Sequence, residues 1–166
     1  MRNAALAVVT LASIGTAGCL SPARAPAPRP APSSASTAGA FSGLIEAHNR
    51  ARARAGLAPL ALNERLVAAA RGHADDMAAH RRMSHRGSDG SSPFRRMARA
   101  GYAYQSAGEN VAYGQRSLDT LMSDWMHSPG HRRNILGKFS EIGAAYATDE
   151  RGTPYWCVTF GTPAGG

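Results

Sequence analysis

Disulfide bonding has almost no material to work with in this chain. Its 166 residues include two cysteines, Cys19 and Cys157. Cys19 stands in a leader-like segment, so no intradomain bridge is expected and core packing must hold the fold alone. Aromatic residues are also sparse, at 7%, which leaves alanine and aliphatic side chains to fill much of the core. The apolar run at residues 4–14 is too short to span a membrane as a permanent helix. No run of basic residues is interleaved with aromatics, so nucleic-acid binding is not expected. There is no GxSxG elbow and no helical HExxH pair. The chain therefore offers neither a ready-made nucleophile nor a locally preformed metal site.

What is present begins with an export-like leader. Arg2 opens it, an apolar stretch follows, and Gly15, Thr16, Ala17 and Gly18 precede Cys19. A cysteine after small residues resembles a bacterial lipoprotein box, although Thr16 stands where leucine is usual. The expectation is a signal peptide over residues 1–18 and a lipid anchor on Cys19. The alternative is ordinary cleavage and secretion. Residues 19–40, with prolines at 22, 26, 28, 30 and 32, read as a disordered tether that cannot bury enough apolar surface to fold. The folded domain is expected over residues 41–162, with a flexible end at 163–166. It carries 16 basic and 11 acidic residues, a net charge of +5, scattered as on a solvated basic surface.

Leu44, Ile45, His48, Ala51 and Ala55 recur at helical spacing, predicting a first helix over residues 42–55 with Ser42 as its N-cap. Asn63 is expected to cap a second helix reaching about residue 83. Its inner face is Leu66, Val67, Ala70, His73, Ala74, Met77 and Ala78. His48 and His73 read as hydrogen-bonded core histidines. His85 opens a loop rich in glycine, serine and aspartate. Pro93 starts a third helix that Gly101 ends. Glu109, between Gly108 and Asn110, is expected at the edge of an element. Ser117 or Leu118 starts a fourth helix.

Residues 125–136, WMHSPGHRRNIL, combine a helix end, a break and a restart. Ser128 suits the cap of the new helix, Pro129 its first position, and Gly130 a close backbone approach. His131 is thereby held in a first turn. His127 and His131 are four apart, but the break between them rules out a helical ligand pair. Ile142, Ala144 and Tyr146 then alternate with small residues, a strand on which helices can pack. The run YWCVTFG at 155–161 is a second strand, rich in aromatic and β-branched residues. Together the two predict an antiparallel hairpin. Trp125, Trp156 and Phe160 read as core, and Cys157 as a buried inert thiol. Helices first and strands last place the chain in the α+β class.

These segments together resemble the bacterial branch of the CAP superfamily, the SCP-like extracellular domains of cysteine-rich secretory, antigen five and pathogenesis-related proteins. The matching stretches are HNRAR at 48–52, SHRGSDGSSPFRRM at 84–97, AGENVAYG at 107–114, WMHSPGHRRNIL at 125–136, EIGAAYA at 141–147 and YWCVTFG at 155–161. The resemblance implies a three-layer α-β-α sandwich around a small central antiparallel sheet. It also implies a cleft lined by His85, Glu109, Ser128 and His131. Ser128 stands where the family has a second carboxylate, and neither Asp124 nor Glu141 is assigned in its place. His85, Glu109 and His131 are candidate catalytic residues and a candidate ligand set for Zn²⁺ or another divalent metal, with an open position for water. The plainer reading has the two histidines oriented by hydrogen bonds to Glu109 in a polar cleft. The preferred function is an exported binding module of the cell envelope, monomeric, engaging a lipid, a wall polymer or a protein. The alternative is a metal-dependent or histidine-assisted hydrolase of envelope peptide or phosphodiester bonds.

Overall fold

The computed structural model describes residues 34–165, with side chains described from residue 43 onward. The leader, Cys19 and the proline-rich stretch up to residue 33 lie outside the described residues. Helix α1 spans Ser34–Arg54, so its backbone is helical eight residues before the expected start, and Ser42 lies within it rather than at its cap. The reason is local: the last proline of the preceding stretch is Pro32, and nothing in SASTAGAF interrupts a helix. Strand β1 is the two-residue Ala61–Leu62, inside what reads as an apolar connector. Helix α2, Glu64–Ala79, is capped by Asn63, whose side chain accepts from the N–H groups of Arg65 and Leu66. It ends four residues earlier than expected, because Arg81 turns into the left-handed region at φ 49°.

Helix α3 is Pro93–Arg99, strand β2 Tyr104–Tyr113, helix α4 Leu118–His127 and helix α5 Pro129–Ile135. Strands β3, Glu141–Thr148, and β4, Pro154–Pro163, form the expected hairpin. The sheet order is β1-β3-β4-β2. Its main pairings are antiparallel, but β1 joins β3 in parallel, a correction to a wholly antiparallel sheet.

Alternation along the strands separates two packed faces. On one face Ala112, Ile142, Ala144, Trp156, Val158 and Phe160 meet Leu44, Ala51, Leu121, Trp125 and Ile135 from α1, α4 and α5. On the other Val111, Ala145, Tyr155 and Cys157 meet Ala70, Ala74, Met77 and Ala78 of α2. The α-β-α sandwich is thus observed. Gly143 lets α2 lie directly on β3: a Cβ there would come within 2.2 Å of the backbone of Leu66 and Val67. Among the described residues no helix is long and apolar enough to cross a membrane.

The segment HNRAR acts as a structural clamp. His48 is fully buried, donates Nδ1–H to Leu44 O at 2.8 Å, and packs edge-on against Trp125. Asn49 makes a two-way bond with the backbone of Leu60. Arg52, also buried, donates to the carbonyls of Ala58, Ile135, Gly137 and Phe139. Three of these lie at or just beyond the end of α5, where unpaired carbonyls favour a cation.

Candidate functional site

Glu109 sits in the middle of β2, not at an element's edge, and faces the α2 layer together with Val111. Its side chain is almost completely buried, at 2% exposure. A lone carboxylate there would carry a large desolvation cost. Two groups offset it. His85, in the loop after α2, donates Nδ1–H to Oε1 at 2.9 Å. Arg96, from α3, donates Nη2–H to Oε2 at 2.7 Å. Arg96 is held in turn by the carbonyls of Ser91 and His85. The carboxylate is therefore clamped on both oxygens, while the His85 ring stays 56% exposed at the surface.

Two further side chains adjoin the same carboxylate from below. Cys157 points its thiol at Oε2 from 3.5 Å. Burial, and then the charge on Glu109, push that thiol well above its ordinary value, so it is the inert thiol expected. His73 donates Nε2–H to Ser84 O at 2.7 Å and lies 4.0 Å from Glu109 Oε1. Burial holds its pKa below the ordinary value despite that carboxylate. It is the hydrogen-bonded core histidine expected.

His131 comes from the other layer. Asn110, the next residue along β2, turns toward α5 and donates to His131 O at 3.1 Å. Asn134 on α5 donates to Glu109 O and to Asn110 Oδ1. This amide pair pins α5 to the edge strand and sets where His131 sits. Its ring leans on Trp125, with centroids 6.0 Å apart, and its Nδ1 is buried without a hydrogen-bond partner. Burial first, and then the positive charge of His85, lower its pKa. His85 and His131 therefore share one region, but no hydrogen bond or ion pair joins His131 to Glu109 among the described residues.

Ser128 occupies the N-cap position of α5, yet its side chain makes no capping bond. The turn is instead held by its backbone N–H on Asp124 and Trp125, which corrects the capping role expected of it. Asp124 accepts from Gln115 and Glu141 from Tyr102, so neither supplies a second carboxylate. Among the described residues no group of three or more His, Cys, Asp or Glu side chains converges to hold a metal ion. The donor set itself fits Zn²⁺ or another divalent metal poorly. Both Glu109 oxygens are engaged, and the adjoining guanidinium would repel a second cation.

Residues 45–160 match the model of the cysteine-rich secretory protein family, CAP. The chain belongs to this family. Its CAP domain is 38% identical over 104 residues to YkwD, an uncharacterized protein of Bacillus subtilis, covering 62% of this chain. The chain spans only 40% of that relative's length. Among solved structures, it resembles an extracellular SCP-domain protein of Bacillus anthracis, with TM-score 0.70 and 25% identity over 76% of this chain and 41% of that one. It shares its fold with an outer surface protein of Borrelia burgdorferi, at TM-score 0.69 and 20% identity over 74% of this chain and 92% of that one. The CAP domain is thus of a kind found in extracellular proteins.

Arg96 is the site residue that sequence reasoning missed. It lies inside the quoted segment SHRGSDGSSPFRRM, but its neighbour Arg95 is chemically identical. Only helical phase separates them: Ser92 caps α3, which turns Arg96 inward and leaves Arg95 exposed. Asn110 and Asn134 carried a fainter signal, since each abuts a candidate site residue or a buried apolar one.

Proposed function

We propose that the CAP domain is an exported binding module of the cell envelope, and that its ligand, a lipid, a wall polymer or a protein, contacts the cleft beside His85 and His131. The observation that carries this reading is the clamp on Glu109. A carboxylate held on one oxygen by Arg96 and on the other by His85 is committed to ordering the loop that carries His85, and the thiol beside it, Cys157, is buried with its pKa raised. The extracellular and surface relatives support export, and the cysteine after the leader supports an anchor at Cys19. The reading is tested by screening purified protein against lipids and wall fragments, with a His85→Gln/His131→Gln variant beside the wild type. Weaker capture by a folded variant is expected. Equal capture would remove the cleft from the binding surface. Mass spectrometry of the mature protein tests the anchor: an unmodified Cys19 would sink it.

One observation favours a second reading. A buried carboxylate accepting from His85 Nδ1 fixes the tautomer of that ring and leaves Nε2 directed away from the bond, the arrangement of a histidine general base. A histidine-assisted hydrolase of envelope peptide or phosphodiester bonds would use that atom. Turnover that disappears in a folded Glu109→Gln variant would establish this reading over the first.

A further inference from the structure

The arginines of this domain are unevenly placed. Residues 64–101 carry eight arginines against four acidic residues, whereas residues 102–165 carry five basic and six acidic ones. The excess lies on α2, α3 and the loop between them. There a groove of about 420 Å³ is lined by Asp76, His80, Arg82, Arg86 and Ser88. Its one acidic group is already committed: Asp76 accepts from the N–H and hydroxyl of Ser88 and lies 3.1 Å from His80 Nδ1. Among the described residues the guanidinium groups of Arg82 and Arg86 carry no ion pair. That of Arg86 lies over Gly90, whose positive φ of 76° brings the loop backbone close beneath it. Every lining residue is polar.

We propose that this groove is a second binding site, distinct from the His85 cleft, for the phosphodiester groups of a hydrophilic anionic polymer. Two unpaired guanidinium forks suit the paired oxygens of a phosphodiester, which a point charge matches less well. A lining without a single aliphatic or aromatic hydrocarbon residue favours a water-soluble polyanion over insertion into a bilayer. Asp76 holds the loop in place through Ser88, and both its oxygens are turned to that residue, leaving the two guanidinium groups as the charges open to an anion. The proposal goes beyond the cleft reading and does not depend on it.

The test uses the full chain, titrated with synthetic poly(glycerol phosphate), with neutral dextran, and with vesicles of phosphatidylcholine and phosphatidylglycerol. Arg82→Gln with Arg86→Gln is compared with Arg54→Gln plus Arg151→Gln, which removes the same charge from the end of α1 and the β3–β4 turn. The expected result is salt-sensitive polymer binding, no dextran binding, and a loss of about tenfold or more in the groove variant but under about threefold in the control. Three results would overturn the proposal: no polymer binding by the wild type, equal losses in both variants, or a dependence on Arg82 and Arg86 seen with vesicles alone. Failure of the cleft reading would appear in its own screen, with the His85 and His131 variants, so the two outcomes are read separately.

Discussion

The two faces of the sheet are built on different plans. Against α1, α4 and α5 the filling is large: Trp125, Phe160, Leu44, Ile142 and a buried His48. Against α2 it is smaller, with Ala70, Ala74, Ala78 and Ala145 beside Met77, Tyr155 and Cys157, and a polar cluster of the buried Glu109 and His73 with the part-buried Arg96. The large face holds by volume. The small face holds by close approach and by one ion pair. A chain with few aromatics has spent both tryptophans and Phe160 on one side, and the other, with Tyr155 and Tyr102, also admits charge. The groups around Glu109 and the ring of His131 come together where the two plans meet, at edge strand β2, with Glu109 turned to one layer and Asn110 to the other.

Breaking the large face should be the most destructive single change. Trp125→Ala is expected to cost about 3–5 kcal/mol, read by urea unfolding, with His131 disturbed as well. On the small face the equivalent blow is electrostatic. Arg96→Met leaves Glu109 buried and uncompensated except by His85, at a cost of about 3 kcal/mol or more. Adding Glu109→Gln should recover much of that loss. A double variant no more stable than Arg96→Met would mean that the guanidinium matters for packing rather than charge.

Acid should act on the large face through His48. Burial lowers the pKa of His48 from 6.5 to about 4, the hydrogen bond to Leu44 only partly opposing it. Above 6.5 the ring is neutral in both folded and unfolded chains, and pH has no purchase on it. Below 6.5 the unfolded chain takes up a proton that the folded chain refuses, so stability falls as pH drops toward about 4, by roughly 3 kcal/mol. His73 and His131, also shifted downward, act in the same direction. Urea unfolding at pH 7, 5.5 and 4 checks this, and His48→Gln should flatten the dependence. A slope that survives the substitution would assign it to the other two.

Smaller effects refine the contrast. Gly143→Ala drives a methyl group into the backbone of α2 and should cost about 1–3 kcal/mol. An alanine introduced without loss would show that α2 can lift away from the sheet. Ser128→Ala should change stability by less than about 0.5 kcal/mol, whereas Asn63→Ala, which removes a working cap, should cost about 1 kcal/mol. Equal losses would restore the capping role to Ser128.

What the sequence disclosed follows a different division, between local and long-range signals. Helix α2, the hairpin of β3 and β4, and the core places of Trp125, Trp156, Phe160 and Cys157 were legible, because periodicity, caps and β-branched runs are local signals. Strand β2 was not. Gly108, Glu109 and Asn110 are poor strand formers, and the strand exists because β4 offers it a partner along its whole length. His85 and Glu109 could be named from motifs, and their contact is observed. The clamp on Glu109 could not be read, since it depends on α3 arriving from a separate loop with Arg96, not Arg95, turned inward.

Arg52 carries a consequence for engineering. One guanidinium is shared by carbonyls at Ala58, Ile135, Gly137 and Phe139, so the connections after α1 and after α5 are fastened at a single point. Lengthening either would pull carbonyls off that cation, and lysine has neither the reach nor the geometry to replace it. The turn closed by Asp149 and Gly152 is held by its own backbone and by an exposed contact of Glu150 with Arg81 at 3.8 Å, a far weaker tie. A tag or label placed there should leave the domain intact, while the same insertion beside Ala58 or Gly137 would loosen α5 and carry His131 with it.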